Sequence, residues 1–284
     1  MRILDKTKYR WVSLVIAIAA AVGVWHASLR VGTGPASGEG LSDFPANLPA
    51  PGLTFRVGTL NLAGGKGPDG RRDLARAGDV LRGLDLVALQ EVHVGGLVAD
   101  DNQARSLGRQ LHLGWLYAPT ETRWHCRQFG NAVLSDLPVT HWQRIPLPRC
   151  YDRSYRNVVF LVLDDGSRLP VHILAVHATQ RDVRDRRVQL RAVIQLFLAL
   201  QEPAILLGDL NATPDDPAIR DLLARPDVED PVGRLADSPP PGRVDWIIVR
   251  GLRCVTAGVR DEGVSDHPLY WAELEWPGAK QEVE

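Results

Sequence analysis

The segment Ala204–Ile205–Leu206–Leu207–Gly208–Asp209–Leu210–Asn211–Ala212–Thr213–Pro214 passes from an apolar run straight into a carboxylate and a carboxamide, then turns at proline. The run is too short for a globular helix and rich enough in Ile and Leu for a buried strand. Asp209 and Asn211 lie two residues apart, so an extended chain sends both side chains the same way. A carboxylate beside a carboxamide on a rigid strand can orient a water and a cation together. The segment is therefore a candidate catalytic centre.

The same pattern recurs along the chain. Thr54–Leu60 alternates as a strand and delivers Asn61; the apolar strand Asp85–Gln90 ends at Glu91. Asn157–Leu163 and Leu169–Val176 read as a hairpin around Asp164–Asp165–Gly166, ending in His177. Val244–Val249 and Cys254–Val259 read as a further strand pair with Asp245 at its start, and Asp266–His267 lead into a last strand, Pro268–Glu275. Shorter strands are expected at Trp115–Tyr117, Gly130–Ser135 and 139–147. Helical spacing appears over Arg71–Leu84, Ala99–Leu111, Val183–Leu200 and Asp215–Ala224. The end of one strand lies beside the start of an antiparallel neighbour, so all six polar positions can share one edge of one core. Any one of them alone would be an ordinary first loop residue. The glycine-rich Gly64–Gly65–Lys66–Gly67 lacks the spacing and ending of a nucleotide-binding loop.

At these residues the chain resembles the endonuclease/exonuclease/phosphatase superfamily, a group that includes DNase I-like nucleases, neutral sphingomyelinases and inositol polyphosphate 5-phosphatases. The matching pieces are Thr59-Leu60-Asn61, Leu89-Gln90-Glu91-Val92, Gly130-Asn131-Ala132-Val133-Leu134-Ser135, Val176-His177-Ala178-Thr179, Gly208-Asp209-Leu210-Asn211, Arg243-Val244-Asp245-Trp246-Ile247 and Ser265-Asp266-His267-Pro268. Each is short, but together they run in order across residues 53–276. The resemblance implies a four-layered α/β sandwich, two mixed sheets packed face to face with helices outside. It also implies a divalent cation, Mg²⁺ with Mn²⁺ as a substitute, and hydrolysis of a phosphate ester. Mg²⁺ takes hard oxygen ligands, which fits Glu91 with Asn61 beside it. Asp209 would deprotonate the attacking water, and Asn211 would help orient water or phosphate. His267, protonated by pairing with Asp245 or Asp266, would stabilise phosphoryl charge. His177 stands where the family has a phosphate-contacting or proton-donating residue. Asp266 is open between binding metal and holding His267, and Asn131 between a turn former and a site residue. His172 reads as an ordinary sheet residue.

The remaining features bear on location and substrate. Arg2, Lys6, Lys8 and Arg10 precede an apolar stretch, 11–29, with Trp11 at its start and Trp25 near its end. Positive residues ahead of an apolar run place the N-terminus in the cytoplasm and export the rest of the chain. Residues 1–30 are expected to be an uncleaved membrane anchor, with a cleaved signal and a secreted product as the alternative. Residues 31–52, rich in Gly and Pro, read as a flexible tether, 53–276 as the catalytic domain and 277–284 as a tail. The net charge of −1 gives no strong overall field for nucleic acid or an anionic membrane, and the mildly acidic body after residue 50 is a weak argument against a dedicated duplex-DNA binder. The substrate class stays open among nucleic acid, phospholipid head groups and inositol phosphates. An extracytoplasmic nuclease and a catalytically silent binding protein on the same fold are the alternatives, and a monomer is the expected state. Arginines within 123–156 and 181–191 can steer an anionic substrate or merely be solvated. Cys126 and Cys150 flank an Arg-rich segment and can pair in an oxidising compartment, whereas Cys254 reads as a core residue.

Overall fold

Alternation of inward and outward side chains builds two sheets that share one dry face. The computed structural model describes residues 14–21, 23, 30–41, 54–95, 102–122, 128–237 and 240–276. Its strands are β1 (Arg30–Val31), β2 (Ser37–Gly38), β3 (Thr54–Asn61), β4 (Leu86–Val94), β5 (Gly114–Thr122), β6 (Gln128–Ser135), β7 (Val139–Pro146), β8 (Asn157–Leu163), β9 (Val171–His177), β10 (Ala204–Asp209), β11 (Asp245–Arg250), β12 (Cys254–Arg260) and β13 (Leu269–Glu275). One sheet has the order β1-β5-β6-β4-β3-β13-β12 and the other β11-β10-β9-β8-β7-β2. Phe55, Val57, Leu86 and Ala88 of the first sheet pack against Ile173, Ala175, Ile205, Leu207 and Ile247 of the second.

The outward faces are covered by helices. α1 (Leu74–Val80) and α2 (Gln103–Leu111) bury Ala77, Val80, Ala104 and Leu107 against Leu60, Val87 and Leu89. α3 (Val183–Ala199) and α4 (Pro217–Leu223) bury Leu190, Val193, Phe197, Ile219 and Leu222 against Leu174, Val176, Leu206 and Trp246. A short α5 (Pro231–Leu235) follows. Helix starts are set by Asx caps: Asn102 accepts from Arg105 N, Asp182 from Arg184 N and Asp185 N, and Asp216 from Ala218 N. Two sheets between two helical layers make the expected four-layered α/β sandwich.

Three expectations need correction or qualification. The Gly/Pro-rich stretch expected as a free tether is, over residues 30–41, a strap that adds β1 to the edge of one sheet and β2 to the edge of the other. Arg144 holds it: Nη1 donates to Gly32 O (3.0 Å) and Pro119 O (2.8 Å), and Nη2 to Gly34 O (3.1 Å). Edge pairing needs only two residues, so a composition suited to linkers did not prevent it. The folded unit thus begins by Arg30, and residues 42–53 and 277–284 lie outside the described residues. Second, β11 and β12 do not pair: β11 joins β10, and β12 joins β13 in the opposite sheet. The chain crosses between layers at Gly251, whose φ is +64°. Third, among the described residues no helix is long and apolar enough to cross a membrane; residues 11–13, 22 and 24–29 of the expected span lie outside them. Cys126 of the expected disulfide also lies outside the described residues, and Cys150 is an exposed free thiol.

Gly208 fixes the end of β10. Its φ is +137°, and a Cβ there would lie 2.0 Å from Val176 O on β9. Only glycine lets the two strands approach so closely one residue before Asp209. Gly208→Ala is expected to destabilise the fold by about 2–3 kcal/mol through overpacking against backbone and left-handed strain, read as a lowered urea midpoint; an unchanged midpoint would show that β9 and β10 have room to part.

Candidate active site

The strand ladder itself lines up three of the expected residues. Asp209 is the aligned partner of His177 on β9 and of Asp245 on β11. Each shares its strand's inward phase with core residues, Ala175, Leu207 and Ile247 respectively. The row therefore continues the inter-sheet core at one end of the sandwich, where apolar side chains give way to polar ones. Asn61 answers it from the facing sheet, in phase with Phe55 and Val57. Its Nδ2 donates to Asp209 Oδ2 at 3.0 Å, and its Oδ1 accepts from Ala63 N at 3.1 Å. Asn211, with φ +50°, donates its backbone N–H to Asp209 Oδ1 at 2.8 Å and its Nδ2 to Ala178 O at 3.0 Å. Asp209 is thus held from both sheets.

His267 arrives on the loop before β13. Its Nδ1 lies 2.7 Å from Asp245 Oδ2, so Asp245 rather than Asp266 holds the ring. Ser265 ties that loop to β3 by donating to Asn61 O at 2.6 Å, and its hydroxyl lies 3.2 Å from Asp266 Oδ1. Asp266 is exposed.

Glu91 stands on a bulge at the same sheet end, near enough for its charge to act on Arg156. The β4–β6 register shifts between Leu89 and Val92, and Glu91 has φ +55°. Gln90 occupies the inward position and accepts from and donates to Thr59, so strict alternation would turn Glu91 outward. The bulge breaks that alternation at the one carboxylate of the strand. A left-handed non-glycine residue costs about 1–3 kcal/mol and is characteristic of functional sites.

For the loop between β7 and β8, sequence reasoning left the arginines open between steering a substrate and solvation and gave Arg156 no role of its own. Asp185 of α3 is fully buried and accepts the backbone N–H groups of Cys150 (2.9 Å), Tyr151 (2.9 Å) and Asp152. The loop so fixed ends in Arg156, only 8% exposed, whose Nη1 lies 3.7 Å from Glu121 Oε1 and whose Nε has no hydrogen-bond partner. Burial lowers its pKa, while the charges of Glu121 and Glu91 oppose that shift. Arg156 lies against the Phe129 ring, which packs on His177 with centroids 6.3 Å apart. One signal was available: unlike the loop's other arginines, Arg156 stands directly before a strand at this same end. Asn131 likewise proves buried and in phase with the core, its Nδ2 donating to Asn157 Oδ1 at 2.9 Å across the sheets. His172 lies on β9 with Nδ1 3.0 Å from Gln201 O.

The row sets its own protonation. Burial lifts Asp209 to about 7, and the neighbouring Asp245 charge adds to the lift against His267, Asn211 and Asn61. Burial also raises Asp245, despite its bond to His267. For His267 burial opposes the charged ring, but the Asp245 hydrogen bond and charge outweigh it and bring the pKa to about 9. Burial and the Arg156 charge push His177 well below its ordinary value. The 3.6 Å His177–Asp209 contact is therefore made by a neutral imidazole and is no ion pair. Because His267 is raised, its charge stabilises the fold fully below its unfolded value of about 6.5, and that contribution is lost as pH rises through about 9.

The donors present fit a hard divalent cation. Glu91, Asp209, Asp245 and Asp266 offer carboxylate oxygens at one sheet end, and Asp245 Oδ1 is buried without a partner. Asp209, Asp245 and His267 bring ligand atoms within 4.8 Å of one another. His267 kept protonated has no lone pair to offer, however, which leaves the oxygen donors as the ligand set.

Comparison with known proteins agrees with this architecture. The family model described as Endonuclease/Exonuclease/phosphatase family matches residues 58–267. Among solved structures, an endonuclease/exonuclease/phosphatase from Beutenbergia cavernae is 24% identical, with 80% of this chain and 72% of that one covered and a TM-score of 0.66. One from Bacteroides vulgatus is 17% identical, covering 78% and 99%, with a TM-score of 0.63. A truncated Caenorhabditis elegans TDP2 is 16% identical, covering 78% and 97%, with a TM-score of 0.56. At these identities the likeness is one of fold. A search of curated proteins finds none that matches.

The electrostatic ordering is directly measurable. In an NMR titration His267 is expected to lose its proton near pH 9, and Asp245→Asn should bring it back toward the ordinary histidine value of about 6.5. An unmoved titration would mean that Asp245 does not hold the charge.

Proposed function

The chain belongs to the endonuclease/exonuclease/phosphatase family of metal-dependent phosphoester hydrolases, and on that premise we propose that it hydrolyses a phosphate mono- or diester by in-line attack of water, with Mg²⁺ as its cation and Mn²⁺ as a substitute. The observation that carries this reading is the His177–Asp209–Asp245 row, with Asn61 bonded to Asp209 from the opposite sheet. A cation held by Glu91 with the oxygens of Asn61 or Asp266 would supply Lewis-acid polarisation of the phosphate.

The protein's own groups account for the rest. Asp209, with a pKa of about 7, takes a proton from the water whose oxygen bonds to phosphorus. The amide N–H of Asn211 and the side chain of Asn61 fix the carboxylate, so it is aimed before substrate arrives. His267, charged through Asp245, and the buried Arg156 stabilise negative charge on the phosphoryl oxygens. His177, kept neutral, offers an N–H donor to the same oxygens. The phosphorus–oxygen bond to the leaving group breaks and the departing alkoxide takes up a proton, so one water is consumed per turnover.

Export and membrane attachment through residues 11–29 belong to the same proposal. They are supported by the basic residues ahead of the stretch, by Trp11 and Trp25, and by the exposure of Leu14, Val15, Ile16 and Ile18.

Hydrolysis of bis(4-nitrophenyl) phosphate is expected to need Mg²⁺ and to stop with EDTA. Glu91→Ala, Asp209→Ala and His267→Ala should each lower kcat/KM by about 10²–10⁴-fold, and retained turnover in all three would overturn the assignment. Titration calorimetry should show Mg²⁺ binding that vanishes in Glu91→Ala. On the alkaline side kcat/KM should fall near pH 9, where His267 loses its proton.

A further inference from the structure

The strap decides where the apolar N-terminal stretch leaves the sandwich. β1 is antiparallel to β5, with Arg30 opposite Thr122 at the end of that strand. Thr122 pairs with Gln128 of β6, which in turn pairs with Val94 at the end of β4. This is the end that carries Glu91. Since β5 runs toward the site and β1 runs away from it, β1 begins, at Arg30, on the active-site end. β1 lies three strand spacings from β4, about 14 Å.

The rim next to that entry has a composition of its own. Val31, opposite Glu121, is 54% exposed, and Glu121 Oε1 accepts from Tyr155 N at 3.1 Å, so the strap adjoins the β7–β8 loop. That loop, the one after β9 and the first turn of α3 carry exposed Arg149, Arg153, Arg181 and Arg184, with Tyr151 59% and Val183 49% exposed. Arg184 stacks over the Tyr151 ring at 3.8 Å and pairs with Asp182; Asp152 is half-buried and bonded to Thr179. Arginine with tyrosine and aliphatic side chains is the composition that settles at a lipid headgroup layer.

We propose that the active-site end lies against the bilayer that takes up residues 11–29, and that the substrate is the phosphoester of a phospholipid head group at that surface. This rests on the membrane placement and the hydrolysis proposed above. The strap sets the orientation: a free tether over 31–52 would let the site face anywhere, whereas β1 pins the chain at Arg30, next in sequence to the stretch 11–29, on the active-site end. The chemistry is unchanged. A water oxygen bonds to phosphorus, the ester bond to one alcohol of the lipid breaks, and that alcohol leaves with a proton.

The test uses the full chain in vesicles of phosphatidylcholine with phosphatidylglycerol or phosphatidylinositol. A fluorophore is placed on native Cys150 at the rim, with Cys126→Ser, or on Leu169→Cys at the opposite end, with Cys126→Ser and Cys150→Ser. A lipid-borne quencher should dim the Cys150 label several-fold more than the Leu169→Cys label; equal or reversed quenching overturns the orientation. A Gly/Ser insertion between Leu29 and Arg30 should lower hydrolysis of vesicle lipid about tenfold and leave bis(4-nitrophenyl) phosphate turnover unchanged. Turnover of the soluble ester with none of either lipid overturns this inference alone. No Mg²⁺-dependent turnover of any ester overturns the functional reading instead.

Discussion

Everything at the site depends on burying two carboxylates side by side. Asp209 and Asp245 are aligned neighbours on adjacent strands, each about 1% exposed, and in that setting neither ionises freely. The fold answers with His267 on one of them and with Asn61 and Asn211 on the other. The result is a division of labour. One carboxylate is neutralised by a lasting partner and keeps a histidine charged, and the other is left near neutrality with hydrogen bonds but no cation of its own. Such a pair is costly to fold around, and its persistence at the end of an otherwise apolar core is the physical argument for a chemical role.

Much of this was legible in the chain. A strand whose core-facing side chains stay apolar until its last residue puts that residue at the end of the core, and β9 and β10 both do so. Phase then carried more information than composition: Asn61, His177, Asp209 and Asp245 each continue the inward face of their strand. Glu91 is the instructive exception, since it is out of phase and stands on a bulge that no periodicity announces. Arg156 and Asp185 were missed for a different reason. Their placement depends on a loop bonded to a helix residue 33 positions beyond Asp152, a contact that local pattern does not encode.

The misreadings also have physical causes. Gly and Pro mark linkers because they fit few regular structures, yet the strap needs only two residues per edge and close backbone approach. The pairing assumed for β11 and β12 came from their proximity in sequence. In a sandwich, a short connection can equally well step from one layer to the other, and the turn at Gly251 does. Arg144 completes that logic at the far edge by bonding both the strap and the end of β5.

The candidate site is divided between the two layers. Asn61 and His267 come from one sheet, and His177, Asp209 and Asp245 from the other. Neither sheet alone holds Asp209 with the Asn61 carboxamide, nor a charged histidine with its carboxylate. A chain whose sheets have each formed but have not yet docked would be chemically inert. Turnover is in that sense a report on the last step of assembly, so activity would stay silent until the two sheets have docked.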